Sequence, residues 1–105
     1  MPFPFTDLTA VKVRPALVVS ADNNRGNDIV AVFISSKVPR KVFPGDIAIT
    51  ETGDLGMMGL KVPSTIRCRK IVTLDRASIL GELGTIPAHL TKKVDYLLEE
   101  ILGLS

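Results

Sequence analysis

Asp28-Ile29-Val30-Ala31-Val32-Phe33-Ile34-Ser35 decides the fold: between its polar first and last residues every side chain is apolar. A run this short, dense in β-branched residues, reads as a strand covered on both faces. Upstream, residues 11–20 form a second strand, with Val13, Leu17, Val18 and Val19 as strand formers and Pro15 near the start, where a missing donor is tolerated. The segment between them, Ala21-Asp22-Asn23-Asn24-Arg25-Gly26-Asn27, is dense in residues that accept turn geometry and reads as a hairpin loop.

Downstream, residues 37–45 carry two prolines and three basic residues, the composition of an exposed loop. Residues 46–50 alternate as a short strand, and the three glycines within 52–59 predict another loop. Residues 64–68 and 70–75 are strands joined by a slight break, and 79–83 add one more. The end is different. Within 88–102, Leu90, Val94, Leu97, Leu98 and Ile101 recur at helical spacing, and Gly103 supplies the stop. Several short strands followed by one amphipathic helix describe a mainly β domain spanning 1–105, a small curved sheet or barrel with a helix packed on it.

Composition excludes several classes. Apolar residues are 46% of the chain and charged residues 23%, so a core forms without staples. A single cysteine, Cys68, makes no internal disulfide, which fits a reducing compartment. The longest apolar run, 29–34, is far short of the roughly 20 residues that span a bilayer. The expectation is a soluble cytoplasmic protein with no membrane contact. Net charge is +2, from 13 basic and 11 acidic residues, too mild to announce nucleic-acid binding by itself. Its distribution says more: Arg67, Arg69 and Lys70 cluster, as do Lys37, Arg40 and Lys41.

Familiar catalytic machinery is missing. His89 is the only histidine, placed near the start of the last helix, and Cys68 has no CxxC partner. No glycine-rich phosphate loop opens a helix, and no GxSxG elbow occurs. No metal and no cofactor is expected, and any chemistry falls to arginines, hydroxyls and carboxylates. Three features remain: Val13-Arg14-Pro15-Ala16-Leu17, Ile34-Ser35-Ser36, and Ser64-Thr65-Ile66-Arg67-Cys68 leading into Val72-Thr73-Leu74-Asp75. Singly, each has a plain reading: Arg14 pairs with a carboxylate, Ser35 starts a turn, Arg67 faces solvent.

Together they resemble a known family. Pro2-Phe3-Pro4-Phe5-Thr6-Asp7-Leu8-Thr9, Val13-Arg14-Pro15-Ala16-Leu17-Val18-Val19-Ser20 and Thr65-Ile66-Arg67-Cys68-Arg69-Lys70-Ile71-Val72-Thr73-Leu74-Asp75 are similar, in order and spacing, to the MazF/PemK toxins. The ending, Leu83-Gly84 and then a helix running to Leu102-Gly103-Leu104, also fits. The resemblance implies an SH3-like barrel of the CcdB/PemK type with a C-terminal amphipathic helix, working as a homodimer. It implies a metal-independent endoribonuclease that cleaves single-stranded RNA and is blocked by a cognate antitoxin protein.

The resemblance places catalysis on Arg14, Ser35 and Arg67. Ser36, Lys37, Arg40, Lys41, Thr65, Arg69 and Lys70 are the expected nucleic-acid contacts, with DNA as a further ligand. The chain departs from the family in two places. Where relatives carry an acidic residue two positions after the later arginine, this chain has Arg69, and Thr9-Ala10-Val11-Lys12 replaces other acidic or histidine candidates. Asp7 is the nearest carboxylate. The family's usual first strand is also expected to be absent, since the chain starts at the Pro2-Phe3-Pro4-Phe5 run. The alternative is a non-catalytic module of the same fold that binds nucleic acid or a protein such as DNA gyrase, as the related CcdB type does.

Overall fold

The computed structural model of the chain describes residues 2–6, 11–21 and 26–104. Five strands, β1 (Pro2–Thr6), β2 (Val11–Val18), β3 (Asp28–Ser35), β4 (Asp46–Ile49) and β5 (Ser64–Asp75), make one sheet in the order β1-β2-β3-β5-β4. Every pairing is antiparallel. Helix α1 (Thr52–Met58) lies between β4 and β5, and helix α2 (Ala88–Ile101) closes the chain. The mainly β fold with its terminal helix is the one the sequence predicts. Pro2–Thr6, given no element by patterning, pairs with β2 as an edge strand, where prolines remove no interior ladder bond.

The sheet is not flat. The β3–β5 register slips between Val32 and Phe33: Val32 faces Ile71, Phe33 faces Arg67, and Cys68, Arg69 and Lys70 have no β3 partner. Extra residues on one strand bend it and increase its twist. The break foreseen between residues 68 and 70 is this irregularity, within one continuous strand. The Cys68 N–H donates to Gly45 O at 3.0 Å, which ties the bend to the turn before β4.

One face of the sheet is the core. Val32, Ile34, Ile47, Ile49 and Ile66 pack against Leu55 and Met58 of α1 and Leu90 and Val94 of α2. Full burial of each such aliphatic side chain contributes about 1.5–3 kcal/mol. The other face of β3 is covered more thinly, by Ala16 and Ala31 with Phe33, Val72 and Leu74 around them. The expectation that β3 is covered on both faces holds, with unequal covers.

Two expectations fail. Residues 52–58 are helical, because Leu55 and Met58, one turn apart, are buried, and that burial outweighs the weak helix propensity of Gly53 and Gly56. The glycine signal survives at Gly59, which ends the helix at φ +71°: its N–H donates to Gly56 O and the Leu60 N–H to Leu55 O. Gly103 ends α2 the same way, with bonds to Glu100 O and from Leu104 N–H to Glu99 O. Residues 79–83 form no strand. That segment passes over the end of α1, where a Cβ at Gly84 would run into the backbone of Met57 and Met58 and the Thr85 N–H donates to Met57 O at 2.9 Å. The chain directly after the segment thus bonds to a helix end and not to a sheet edge.

Candidate nucleic-acid interface

Strand alternation brings the predicted site residues to the face opposite the helices. Arg14 shares a face of β2 with Ala16, and Ser35 shares a face of β3 with Ala31 and Phe33, since strand side chains alternate. Directly paired residues also share a face, and the register pairs Ala16 with Phe33, Ser35 with Thr65, and Arg67 with both Phe33 and Asp46. Arg14, Ser35 and Arg67 are far apart in sequence. They line one cavity of about 260 Å³, with Phe33, Ile34 and Lys70.

Two further cavities continue the groove. One, of about 630 Å³, is lined by Ser35, Lys37, Val38, Pro39, Phe43, Asp46, Thr65 and Arg67. The other, of about 480 Å³, is lined by Phe43, Pro44, Asp46, Arg67, Arg69 and Lys70. Arg67 is common to all three. The bend at 68–70 supplies the basic wall, and Gly45 makes room for it: at φ +90° it favours glycine, and a Cβ there would meet the Arg69 side chain at 3.0 Å.

Each predicted contact has a definite place. Ser35 Oγ accepts the Lys37 N–H at 3.3 Å, and the residue lines the groove. Thr65 is buried, and its hydroxyl donates to Lys37 O at 2.7 Å, so it anchors the loop across β3. Arg69 and Lys70 line the groove. Ser36, Arg40 and Lys41 are exposed on the loop and line none of the three cavities. Asp7 lies outside the described residues. His89 is on the helical side, where its Nε2 meets Asp54 Oδ2 at 3.1 Å and joins α2 to α1.

Two groove residues escape sequence reading. Phe43, 62% exposed, separates the two larger cavities, and nothing in residues 37–45 marks it off from an ordinary exposed loop. Asp46 reads only as the first residue of a short strand, yet its carboxylate is 7% exposed and lies 3.9 Å from Arg67 Nε. Cys68 beneath them is fully buried. Burial first, and then the Asp46 charge, push its thiol up to about 11, so it stays protonated and unreactive at neutral pH. Among the described residues no three His, Cys, Asp or Glu side chains come together as a metal site.

A bent antiparallel sheet with helices on one face and a cationic groove on the other defines a small, mainly β class of protein. Within that class the chain belongs to the PemK-like, MazF-like toxin family of type II toxin–antitoxin systems, whose family model matches residues 4–102. Endoribonuclease MazF6 of Mycobacterium tuberculosis is 29% identical over 96 residues, 89% of this chain and 81% of that one. The fold matches MazE-MazF (Form-III) from Deinococcus radiodurans with a TM-score of 0.76 at 26% identity, covering 99% of this chain and 92% of that one. It also matches a mycobacterial endoribonuclease in complex with its cognate antitoxin, with a TM-score of 0.73 at 24% identity over 99% of this chain and 92% of the other.

Proposed function

We propose that this chain is the toxin of a type II toxin–antitoxin pair and a metal-independent endoribonuclease acting on single-stranded RNA. The observation that carries the reading is the convergence of Arg14, Ser35 and Arg67 on one cavity, beside Lys70. RNA contains its own nucleophile, the 2′-OH next to the scissile phosphate, so the protein needs none. It must stabilise a phosphorane with extra negative charge, and guanidinium forks aimed at the non-bridging oxygens suit that task. Free arginine keeps its proton to about pH 12, so Arg14 acts by charge and hydrogen bonding and not as a proton donor. The Ser35 hydroxyl adds one fixed neutral hydrogen bond.

The family membership and the endoribonuclease relative support this activity. The solved MazE-MazF relative supports a cognate antitoxin as partner. DNA offers the same phosphates without the 2′-OH, so it binds as a contact and is not cut. A substrate of cellular RNA places the protein in the cytoplasm. The sheet has β1 and β4 at its edges, and an edge with unpaired backbone groups invites pairing with a second copy. A homodimer joined through the segment around β1 satisfies both copies at once.

The test is incubation with long single-stranded RNA in EDTA followed by end-group analysis. The expected fragments end in 2′,3′-cyclic phosphate and begin with 5′-hydroxyl. Intact RNA, or cleavage that needs a divalent cation, would overturn the proposal.

A further inference from the structure

Asp46 stands out in its surroundings. Among the described residues, the charged side chains lining the groove are Arg14, Lys37, Arg67, Arg69, Lys70 and this one carboxylate. A carboxylate at 7% exposure is costly to bury unless a partner or a task holds it. Its partner, Arg67 Nε, is 3.9 Å away, beyond hydrogen-bond length, so the attraction leaves the carboxylate able to accept a hydrogen bond from a substrate. The register fixes this placement, because Asp46 and Arg67 are directly opposed across β4 and β5. Ser35, Arg67 and Asp46 line the same cavity.

Attack by a 2′-OH needs an acceptor for its proton. His89 is engaged with Asp54 among the helices, and the Cys68 thiol is buried beneath the sheet. We propose that Asp46 is the general base of the cleavage reaction, an assignment that rests on the endoribonuclease reading. Its carboxylate takes the 2′-OH proton as the 2′-oxygen bonds to phosphorus, while Arg14 and Arg67 hold the non-bridging oxygens. The bond from phosphorus to the 5′-oxygen breaks, and that oxygen leaves with a proton from water. Asp46 then returns its proton to solvent, and the products are a 2′,3′-cyclic phosphate and a 5′-hydroxyl. Arg67 and Cys68 face it from β5, Lys37 from the loop and Arg69 and Lys70 from the bend. Lys93 and Tyr96 of α2 share a cavity on its far side.

The experiment is single-turnover cleavage of single-stranded RNA in EDTA across the acid and neutral range, with wild type, Asp46→Asn and Asp46→Glu. Wild type is expected to lose rate toward acid pH with unit slope. Asp46→Asn should be slower by about 10²–10⁴ and lack that limb, and Asp46→Glu should recover part of the rate. Asp46→Asn should still bind an RNA with a 2′-deoxy nucleotide at the cleavage position, since removing a negative charge does not weaken phosphate binding. An Asp46→Asn protein that cleaves at the wild-type rate, or keeps the acid limb, overturns the assignment and leaves the endoribonuclease reading standing. A wild type that cleaves nothing overturns both. If Asp46→Asn fails to fold, the wild-type profile decides, and a rate unchanged through the acid range overturns the assignment.

Discussion

The two faces of this sheet are built on opposite plans. Toward the helices, Val32, Ile34, Ile47, Ile49 and Ile66 interlock with two helices and exclude water. On the other face the cover shrinks to Ala16 and Ala31 with half-buried neighbours, and the charged residues gather beside it. Alternation along each strand lets both plans coexist, since residue i belongs to one face and residue i+1 to the other. Ile34 and Ser35, adjacent in sequence, show the division: one is in the core and the other lines the groove. Substitutions should therefore divide the same way, into those that unfold the protein and those that disarm it.

The largest effect should come from the covered face. Ile66 is fully buried at the centre of the core, and Ile66→Ala should destabilise the protein by about 2–5 kcal/mol in denaturant titrations. A loss no larger than that of a groove variant would break the comparison. On the open face, Arg14→Ala should destabilise the protein less than Ile66→Ala and lower RNA cleavage by about 10²–10³, as removal of one preorganised charged donor does. Unchanged cleavage would remove Arg14 from the site.

Ser35→Ala should cost less than Arg14→Ala, about tenfold in rate, because a neutral hydrogen bond is worth about 0.5–1.5 kcal/mol. Equal losses would mean that the two roles are misassigned. Cys68 links the faces, as it is buried in the core and feels the Asp46 charge from the groove. The unfolded thiol ionises near 9.0 while the buried one keeps its proton to about 11, so the native state binds the extra proton in that window. Stability should accordingly be unaffected by this group below the window and fall as pH rises through it. Denaturant titrations that are equally flat for wild type and Cys68→Ala would contradict this. The smallest effect belongs to Lys70→Ala, which should reduce the slope of log affinity against log salt by about 0.7 for single-stranded RNA, one phosphate contact's worth.

The sequence alone determined whatever depends on local period. The bounds of β3, the stripe of α2 and its Gly103 stop, and the exposed loop over 37–45 follow from neighbouring residues in a regular repeat. The Arg14, Ser35 and Arg67 blocks were legible in the same way, as short motifs in a fixed order. Local signals misled where a distant partner sets the outcome. Residues 52–58 look like loop but are helical because Leu55 and Met58 meet a core assembled from other strands. Residues 79–83 look like strand but pass over the end of α1. Asp46 was legible only as the first residue of a short strand. What sets it beside Arg67 is the β4–β5 register, and what raises the basic wall around both is the slip in β3–β5 pairing at 68–70. Register and bulges are fixed when separate strands pack together, at sequence separations over which no local pattern carries information.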